Sequence, residues 1–401
     1  MQKAKDWNIV KLKEIGDVKG GKRLPKGEPF SETKTNHPYL RVVDFRNNGI
    51  DEKNLEYVSD KIFTKIKNYA ISSNDVYISI AGTIGLTGLI PKHLDGANLT
   101  ENAAKITNLK NILKEYLSIV LSSKIVQDQI KSYLGTTSQP KLALFRIEKL
   151  EFPLPRINEQ EKIVSILSNV DYLISSYDDK IQTTKKLKQG LMQQLLTKGI
   201  GHKKFKKTKL GIIPEEWELE NLGNLCQIRK NNNCQSELYV GLEHISQGTN
   251  LLVGRGHTSN FSSTKNIFKR GDVLYGKLRP ILNKVWLAKE DGFCSTDILP
   301  IETNERLDNQ ILVKIISSKE FVLFASSTSG GTKMPRTNWS DIKKYQIRLP
   351  PIHEQQKIAS IFSSVDDKIT ELESKKKSLE SLKRGLMQKL LTGQIRVAVP
   401  N

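Results

Sequence analysis

Four polar, glycine-containing loops carry the side chains best suited to chemistry. They are Lys19-Gly20-Gly21-Lys22-Arg23, Gly135-Thr136-Thr137-Ser138-Gln139-Pro140-Lys141, Gly276-Lys277-Leu278-Arg279-Pro280 and Gly330-Gly331-Thr332-Lys333-Met334-Pro335-Arg336. The chemistry they suit is recognition rather than reaction. Arg and Lys are the usual partners of guanine and Asn and Gln of adenine, while Lys, Ser and Thr suit phosphate oxygens. Glycine lets the backbone approach a ligand closely. Any one of these loops would also serve as a solvated turn; basic loops at matching positions in both halves suggest a shared task.

Signals for a catalytic engine are missing. No GxxxxGK[ST] loop and no GxGxxG is present, so no nucleotide cradle is indicated. The Asn/Asp-Pro-Pro-Tyr/Phe motif of methylases is absent; the one Pro-Pro pair is Pro350-Pro351. Cys226 and Cys234 stand eight apart without a CxxC or HxxxH cluster, so no metal site is expected. His244 and His257 read as ordinary surface or core residues. Glu159-Gln160 and Glu354-Gln355 recur, but at a helix start, where capping and partner contact explain them better than catalysis. The expectation is a binding chain with no catalytic residues of its own.

Charge points the same way. Lys and Arg total 63 against 43 Asp and Glu, a formal net charge of +20. That balance favours an anionic partner, nucleic acid first. Residues 1–200 hold 31 basic and 22 acidic groups, and residues 201–401 hold 32 and 21, so the excess is not a tail effect. The dense basic run at 203–209 reads as a solvated linker. No stretch approaches the roughly 20 apolar residues of a membrane span. The first seven residues lack an apolar signal core. Three cysteines fit a reducing compartment, so the expected location is cytoplasmic.

The elements that must hold these loops are legible as a duplication. Leu154-Pro155-Arg156-Ile157-Asn158-Glu159-Gln160-Glu161-Lys162-Ile163 is repeated as Leu349-Pro350-Pro351-Ile352-His353-Glu354-Gln355-Gln356-Lys357-Ile358. The offset of 195 holds from Leu154 to Ile200 with 24 identities in 47 positions, far above chance. After the prolines, Asn158 is a candidate N-cap with Glu161 completing a capping box. From there apolar residues step four and three: Ile163, Leu167, Val170, Ile174, Tyr177, Ile181, then Leu191 and Leu195. The second copy gives Ile358, Phe362, Val365, Ile369, Leu372, Leu379, Leu386 and Leu390. A seam sustained for four heptads predicts a coiled coil, about 57 Å long at 1.5 Å per residue. Lysines interrupt each seam, and Leu187 and Leu382 are expected to cover the gaps. If a pseudo-two-fold relates the halves, the helices run antiparallel.

The blocks before each helix are richer in short strands. Residues 39–45, 76–80, 238–242 and 273–275 alternate or bury as strands do, and residues 111–131 and 309–326 read as helices. The predicted class is α+β: two globular domains separated by two long helices that form an antiparallel coiled coil, with internal pseudo-two-fold duplication. The expected domains are 1–152, a first long helix in 153–200, a linker and second domain in 201–348, and a second long helix with a tail in 349–401.

With those motifs in hand, the chain resembles the specificity subunit of type I restriction–modification systems. The repeats at 154–163 and 349–358, and Gly-Leu-Met-Gln-x-Leu-Leu-Thr at 190–197 and 385–392, look like that family's conserved helical regions. Ile213-Pro214-Glu215-Glu216-Trp217 looks like the entry to its second target recognition domain. The resemblance implies that each globular domain reads one half of a bipartite, asymmetric site in double-stranded DNA. It implies that the helices set the spacer and dock two methyltransferase subunits, joined in the full complex by two ATP-dependent restriction subunits. S-adenosylmethionine, ATP and Mg would belong to those partners, and this chain would hold no cofactor. By the same analogy the base readers would be Lys22, Arg23, Gln139 and Lys141 in the first domain, and Lys277, Arg279, Lys333 and Arg336 in the second. Two other readings compete: a non-catalytic coiled-coil adaptor, and a DNA-modifying enzyme with unrecognised motifs. An activity assay on the chain alone separates the latter.

Overall fold

Every residue of Val76-Tyr77-Ile78-Ser79 is buried, which the sandwiched position of this strand explains. Val76 and Ile78 face a cluster with Tyr116, Leu117 and Val120 of a flanking helix, while Tyr77 faces a second cluster with Leu40, Phe45 and Leu99. A strand covered on both faces needs apolar side chains at odd and even positions alike. The computed structural model describes residues 7–46, 48–134, 140–230, 236–257, 265–331 and 333–398. Gln139 lies outside them. The chain forms two compact units: Met1–Asp178 with Ser374–Asn401, and Asp179–Glu373.

In the first unit one four-stranded antiparallel sheet runs in the order Asp17–Gly20, Ala103–Thr107, Val76–Ser79, Thr87–Gly88. A second has the order Glu56–Tyr57, Pro38–Leu40, Ala97–Leu99, Ala70–Ile71, and its central pair is parallel. Asn8–Lys11 pairs with Glu151–Leu154, so the start and end of the block are joined before the long helix begins. The second unit repeats this plan. Its antiparallel sheet runs Cys226–Ile228, Ile298–Thr303, Val273–Gly276, Val285–Leu287. Its mixed sheet runs Gly256–His257, Leu238–Val240, Gly292–Ser295, Lys265–Phe268, again with a parallel central pair. Glu218–Asn221 pairs with Gln346–Leu349 to close the block. A hairpin of Phe205–Thr208 and Gly211–Pro214 occupies the segment read as a linker.

Several local expectations need correction. The run 39–45 is not one strand: Pro38–Leu40 gives way to a 3-10 turn at Val42–Asp44. The Asp44 carboxylate accepts from the Arg41 backbone N–H at 2.8 Å, which folds the chain there. Residues 238–242 break likewise, into strand Leu238–Val240 and turn Leu242–His244, with His244 Nδ1 accepting from the Gly241 N–H. Each expected single helix is a pair. Lys114–Ser122 and Lys124–Tyr133 are separated by Ser123 in an extended conformation. Asn309–Ile316 and Lys319–Ser327 are separated at Ser318, whose hydroxyl caps the second helix. Serine competes with helical backbone bonds through its own hydroxyl, and here that competition wins.

The first long helix spans Ile157–Lys198 and the second Ile352–Leu391. Asn158 is not the cap. The N–H groups of Glu159 and Gln160 both donate to the Arg156 carbonyl at 3.0 Å, so Asn158 lies inside the first turn. In the second copy Pro351 takes the place of Arg156 and accepts from Glu354 and Gln355.

Within each unit, half of one long helix meets half of the other. In the first unit Ile163 and Leu167 share a core with Leu390 and Leu391, with Leu386 packed against it. In the second, Ile358 and Phe362 share a core with Leu195 and Trp217, with Leu191 packed against it. Val170 and Ile369 are buried, and Ile174 and Val365 half-buried. Ion pairs give the direction. Asp178 binds Lys376 and Asp171 binds Lys383 in the first unit, and Lys185 binds Glu373 and Lys188 binds Asp366 in the second. One number rises as the other falls, so the helices pair antiparallel. The leucines expected to cover the seam lysines do not: Leu187 and Leu382 are 56% and 51% exposed. The lysines are instead neutralised across the pair, Lys188 by Asp366 at 2.6 Å and Lys383 by Asp171 at 2.5 Å. A lysine stem can pack along the seam while its ammonium reaches a carboxylate.

Candidate nucleic-acid interface

In the first unit four chain segments meet at one end of the antiparallel sheet. Gly21 N–H donates to the Ala103 carbonyl at 2.9 Å and Lys22 N–H to that of Leu99 at 2.8 Å. A Cβ on Gly21 would lie 2.1 Å from the Thr100 carbonyl oxygen, so only glycine lets the basic loop press against this turn. Ile80 N–H donates to Asn102, and Leu142 N–H to Ile80, which brings Lys141 to the same end. The Tyr39 hydroxyl donates to the Lys22 carbonyl at 2.8 Å, and burial pushes that phenol up to about 12, keeping it a donor. Lys22 Nζ lies 5.4 Å from the Tyr69 ring centre, a cation–π distance. Thus Lys22, Arg23 and Lys141 come together.

The second unit builds the equivalent end from three loops. Lys277 N–H donates to the Asp297 carbonyl, Thr337 N–H to that of Lys277, and Arg279 N–H to that of Pro335. Arg336 and Gly330 exchange both backbone bonds at 3.0 Å, forming a small hairpin with Lys333 and Met334 exposed at its tip. Arg279 sits at φ 50°, left-handed backbone that costs a non-glycine residue about 1–2 kcal/mol. Its side chain is exposed. Strain of this kind persists where the surroundings over-determine it; here Pro335 and the following Pro280 do so. Lys277, Arg279, Lys333 and Arg336 therefore share one surface.

Two acids belong to these clusters and escaped the sequence reading. Glu101 accepts from Arg23 Nε at 2.6 Å, and Asp297 accepts from Arg336 Nε at 3.0 Å and Nη2 at 3.4 Å. Burial pushes the Glu101 carboxyl up, but the bonds from Arg23 and Thr100 hold it below its usual range. The duplication carried the signal: Thr100-Glu101-Asn102 falls opposite Ser295-Thr296-Asp297.

The recurrent Glu-Gln pairs prove to be anchors. Glu159 accepts from the Trp7 indole at 3.0 Å and from Arg396 Nε at 2.7 Å. Glu354 accepts from the Trp217 indole at 2.8 Å, from Ile200 N–H at 2.9 Å and from His202 Nε2 at 2.9 Å. Gln160 accepts from Leu113 N–H and donates to the carbonyls of Asn111 and Pro155. Gln355 does the same with Asp308, Arg306 and Pro350. All four side chains are buried. Capping and partner contact are thus both wrong for this motif, since it fastens each helix start to the block before it. A buried carboxylate must be satisfied on every side, and here an indole and a second nitrogen donor do so, Arg396 for Glu159 and His202 for Glu354.

Among the described residues no group of three or more His, Cys, Asp or Glu could hold a metal ion. No described helix is long and apolar enough to cross a membrane.

Comparison with known proteins agrees with this geometry. Residues 4–189 and 214–381 each match the type I restriction modification DNA specificity domain. The MjaVIII type I restriction enzyme specificity subunit of Methanocaldococcus jannaschii is 28% identical over 421 residues, 98% of this chain and 93% of that protein. Two solved structures share the fold. The type I restriction–modification S subunit from M. genitalium aligns with TM-score 0.57 and 15% identity over 98% of this chain and 97% of its own. A chain from work on assembly and conformational transition of the type I restriction–modification system aligns with TM-score 0.62 and 14% identity over 98% and 100%. The chain therefore belongs to the type I restriction–modification DNA specificity family and carries two copies of its domain.

Proposed function

We propose that residues 1–152 and 201–348 each read one half of a bipartite, asymmetric site in double-stranded DNA. The chain is a specificity subunit and not itself catalytic. Lys22, Arg23, Gln139 and Lys141 make base or phosphate contacts in one half-site, and Lys277, Arg279, Lys333 and Arg336 in the other. The observation that carries this reading is the same sheet end, built twice from the same topology, with a different set of basic side chains on each. Two readers with one scaffold and different loops suit two different half-sites.

The helical segments 153–200 and 349–401 hold two methyltransferase subunits, and two ATP-dependent restriction subunits complete the complex. S-adenosylmethionine, ATP and Mg are held by those partners. The seam residues Ile163, Leu167, Leu195, Ile358, Phe362 and Leu390 are taken up in the units' own cores, so docking falls to exposed helix side chains such as Tyr172, Leu173 and Leu382.

The test is co-expression with the cognate methyltransferase and mapping of methylated sites. A bipartite motif is expected, and replacing residues 1–152 with another family member's should change one half alone. A swap that leaves both halves unchanged, or alters both, would overturn the assignment.

A further inference from the structure

Both recognition ends contain an arginine whose inner edge is held by a carboxylate and whose outer edge faces solvent. Arg336 gives Nε and one Nη2 hydrogen to Asp297, and its side chain is 45% exposed. Arg23 gives Nε to Glu101, with its side chain 78% exposed. Among the described residues neither Nη1 has a partner. Arg229 offers the contrast: Asp272 takes its Nε and Nη2, Glu302 takes Nη2 again, and its side chain is 15% exposed. That arginine is structural. The other two are fixed at the inner edge and open at the outer one.

A guanidinium is a rigid fork, so binding one edge sets the direction of the other. The open edge can give two parallel N–H bonds, which match guanine O6 and N7 in the major groove. Free arginines must lose rotamer freedom on binding; Arg336, held by two bonds to Asp297, has less left to lose, and Arg23 is restrained by one to Glu101. The acids come from one element in both units, the turn at 100–102 and its counterpart at 295–297. The arginines come from different loops: Arg23 follows Asp17–Gly20, and Arg336 closes the hairpin with Gly330. One turn thus supplies the acid in both units, from adjacent aligned positions, for a reader arriving from either side.

We propose that Glu101 and Asp297 are positioning residues that aim Arg23 and Arg336 at one guanine in each half-site. This rests on the DNA-reading function above and names the base. The carboxylates also repel phosphate, so removing one should tighten binding to non-cognate DNA while loosening cognate discrimination. A purely structural ion pair would weaken both.

The experiment uses the full chain assembled with its methyltransferase. Methylated motifs are mapped, and binding is measured on cognate duplexes carrying 7-deazaguanine, which lacks the N7 acceptor, at each guanine in turn. Arg336→Ala is expected to lose about 5- to 150-fold in discrimination at one guanine of one half-site. Asp297→Asn should lose about 2- to 12-fold at that same position, with non-cognate affinity raised, and Asp297→Glu should restore it. Arg23→Ala and Glu101→Gln should act on the other half-site alone. Unchanged discrimination in Arg336→Ala and Asp297→Asn, or a loss spread evenly over both half-sites, would overturn the proposal while leaving the bipartite reading intact. A wild-type complex that methylates no bipartite motif would remove the function and this proposal together.

Discussion

The two units anchor the same glutamate with different nitrogen donors. Glu159 is held by Trp7 and Arg396, and Glu354 by Trp217, His202 and the Ile200 N–H. Arg396 follows the second long helix and His202 follows the first, so the segment after each helix returns to the tryptophan of the unit in which that helix ends. The indole–carboxylate bond is shared by both units, while its more solvent-facing partner differs. A second difference lies in the seam. Asp171 faces Lys383, and its counterpart Asp366 faces both Lys188 and Lys314. The position of Lys314 in the first unit is taken by Ile119, which is buried among apolar neighbours. Duplicated cores can therefore keep one geometry while one copy is closed by charge and the other by hydrocarbon.

The largest effect expected from breaking this comparison is at the anchor. Glu354→Ala leaves an indole, an imidazole and a backbone N–H facing a void, and should cost the second unit about 3–5 kcal/mol. Hydrogen exchange on the intact chain should show Asn309–Ile316 and Lys319–Ser327 loosening while Lys114–Ser122 stays protected. Glu159→Ala should give the mirror result, and equal loosening of both units by either variant would contradict it.

Next comes the seam. Asp366→Asn strands the buried Lys314 and should cost about 1.5–3 kcal/mol, against about 0.2–1 kcal/mol for Asp171→Asn. Burial pushes the Asp366 carboxyl up, but Lys188 and Lys314 hold it below its ordinary value of 3.8. A lowered folded-state value stabilises the fold above the unfolded value, and that contribution is lost as pH falls through the folded one. The gap between wild type and Asp366→Asn should thus be constant near neutrality and shrink below pH 3.8, as read by acid titration of stability. A gap that widens in acid would reverse the assignment.

The smallest effect is at the outer partner. Arg396→Ala leaves the Trp7 bond in place and should cost the first unit about 1 kcal/mol. Hydrogen exchange should show Lys114–Ser122 loosening slightly while Asn309–Ile316 stays protected, a readout that leaves the Trp217 anchor intact.

Much of this was legible from period and repetition. The long helices, their antiparallel pairing and the α+β blocks follow from a seam that repeats at a fixed offset and from short alternating runs. The breaks at Ser123 and Ser318 were hidden, because serine's local competition with helical bonds leaves no periodic trace. The Glu-Gln role was hidden for a different reason. Its partners lie 152 and 137 residues away along the chain for the two indoles, and nothing local distinguishes a buried anchor from a cap. The basic loops stood out by composition; the acids that aim two of their arginines did not, because a lone Glu or Asp in a turn is ordinary.

One consequence of the discontinuous first unit concerns synthesis. Its core needs Leu386, Leu390 and Leu391 against Ile163 and Leu167, yet more than two hundred residues separate these groups along the chain. At about 5–20 residues per second, some ten to forty seconds pass between translating one side of that core and the other. The second unit is contiguous, and its own helix pair, Leu195 against Ile358 and Phe362, is translated before Leu386 is reached. The nascent protein therefore carries an uncovered apolar helix face while its later-made unit completes, and the unit translated first is the last to close.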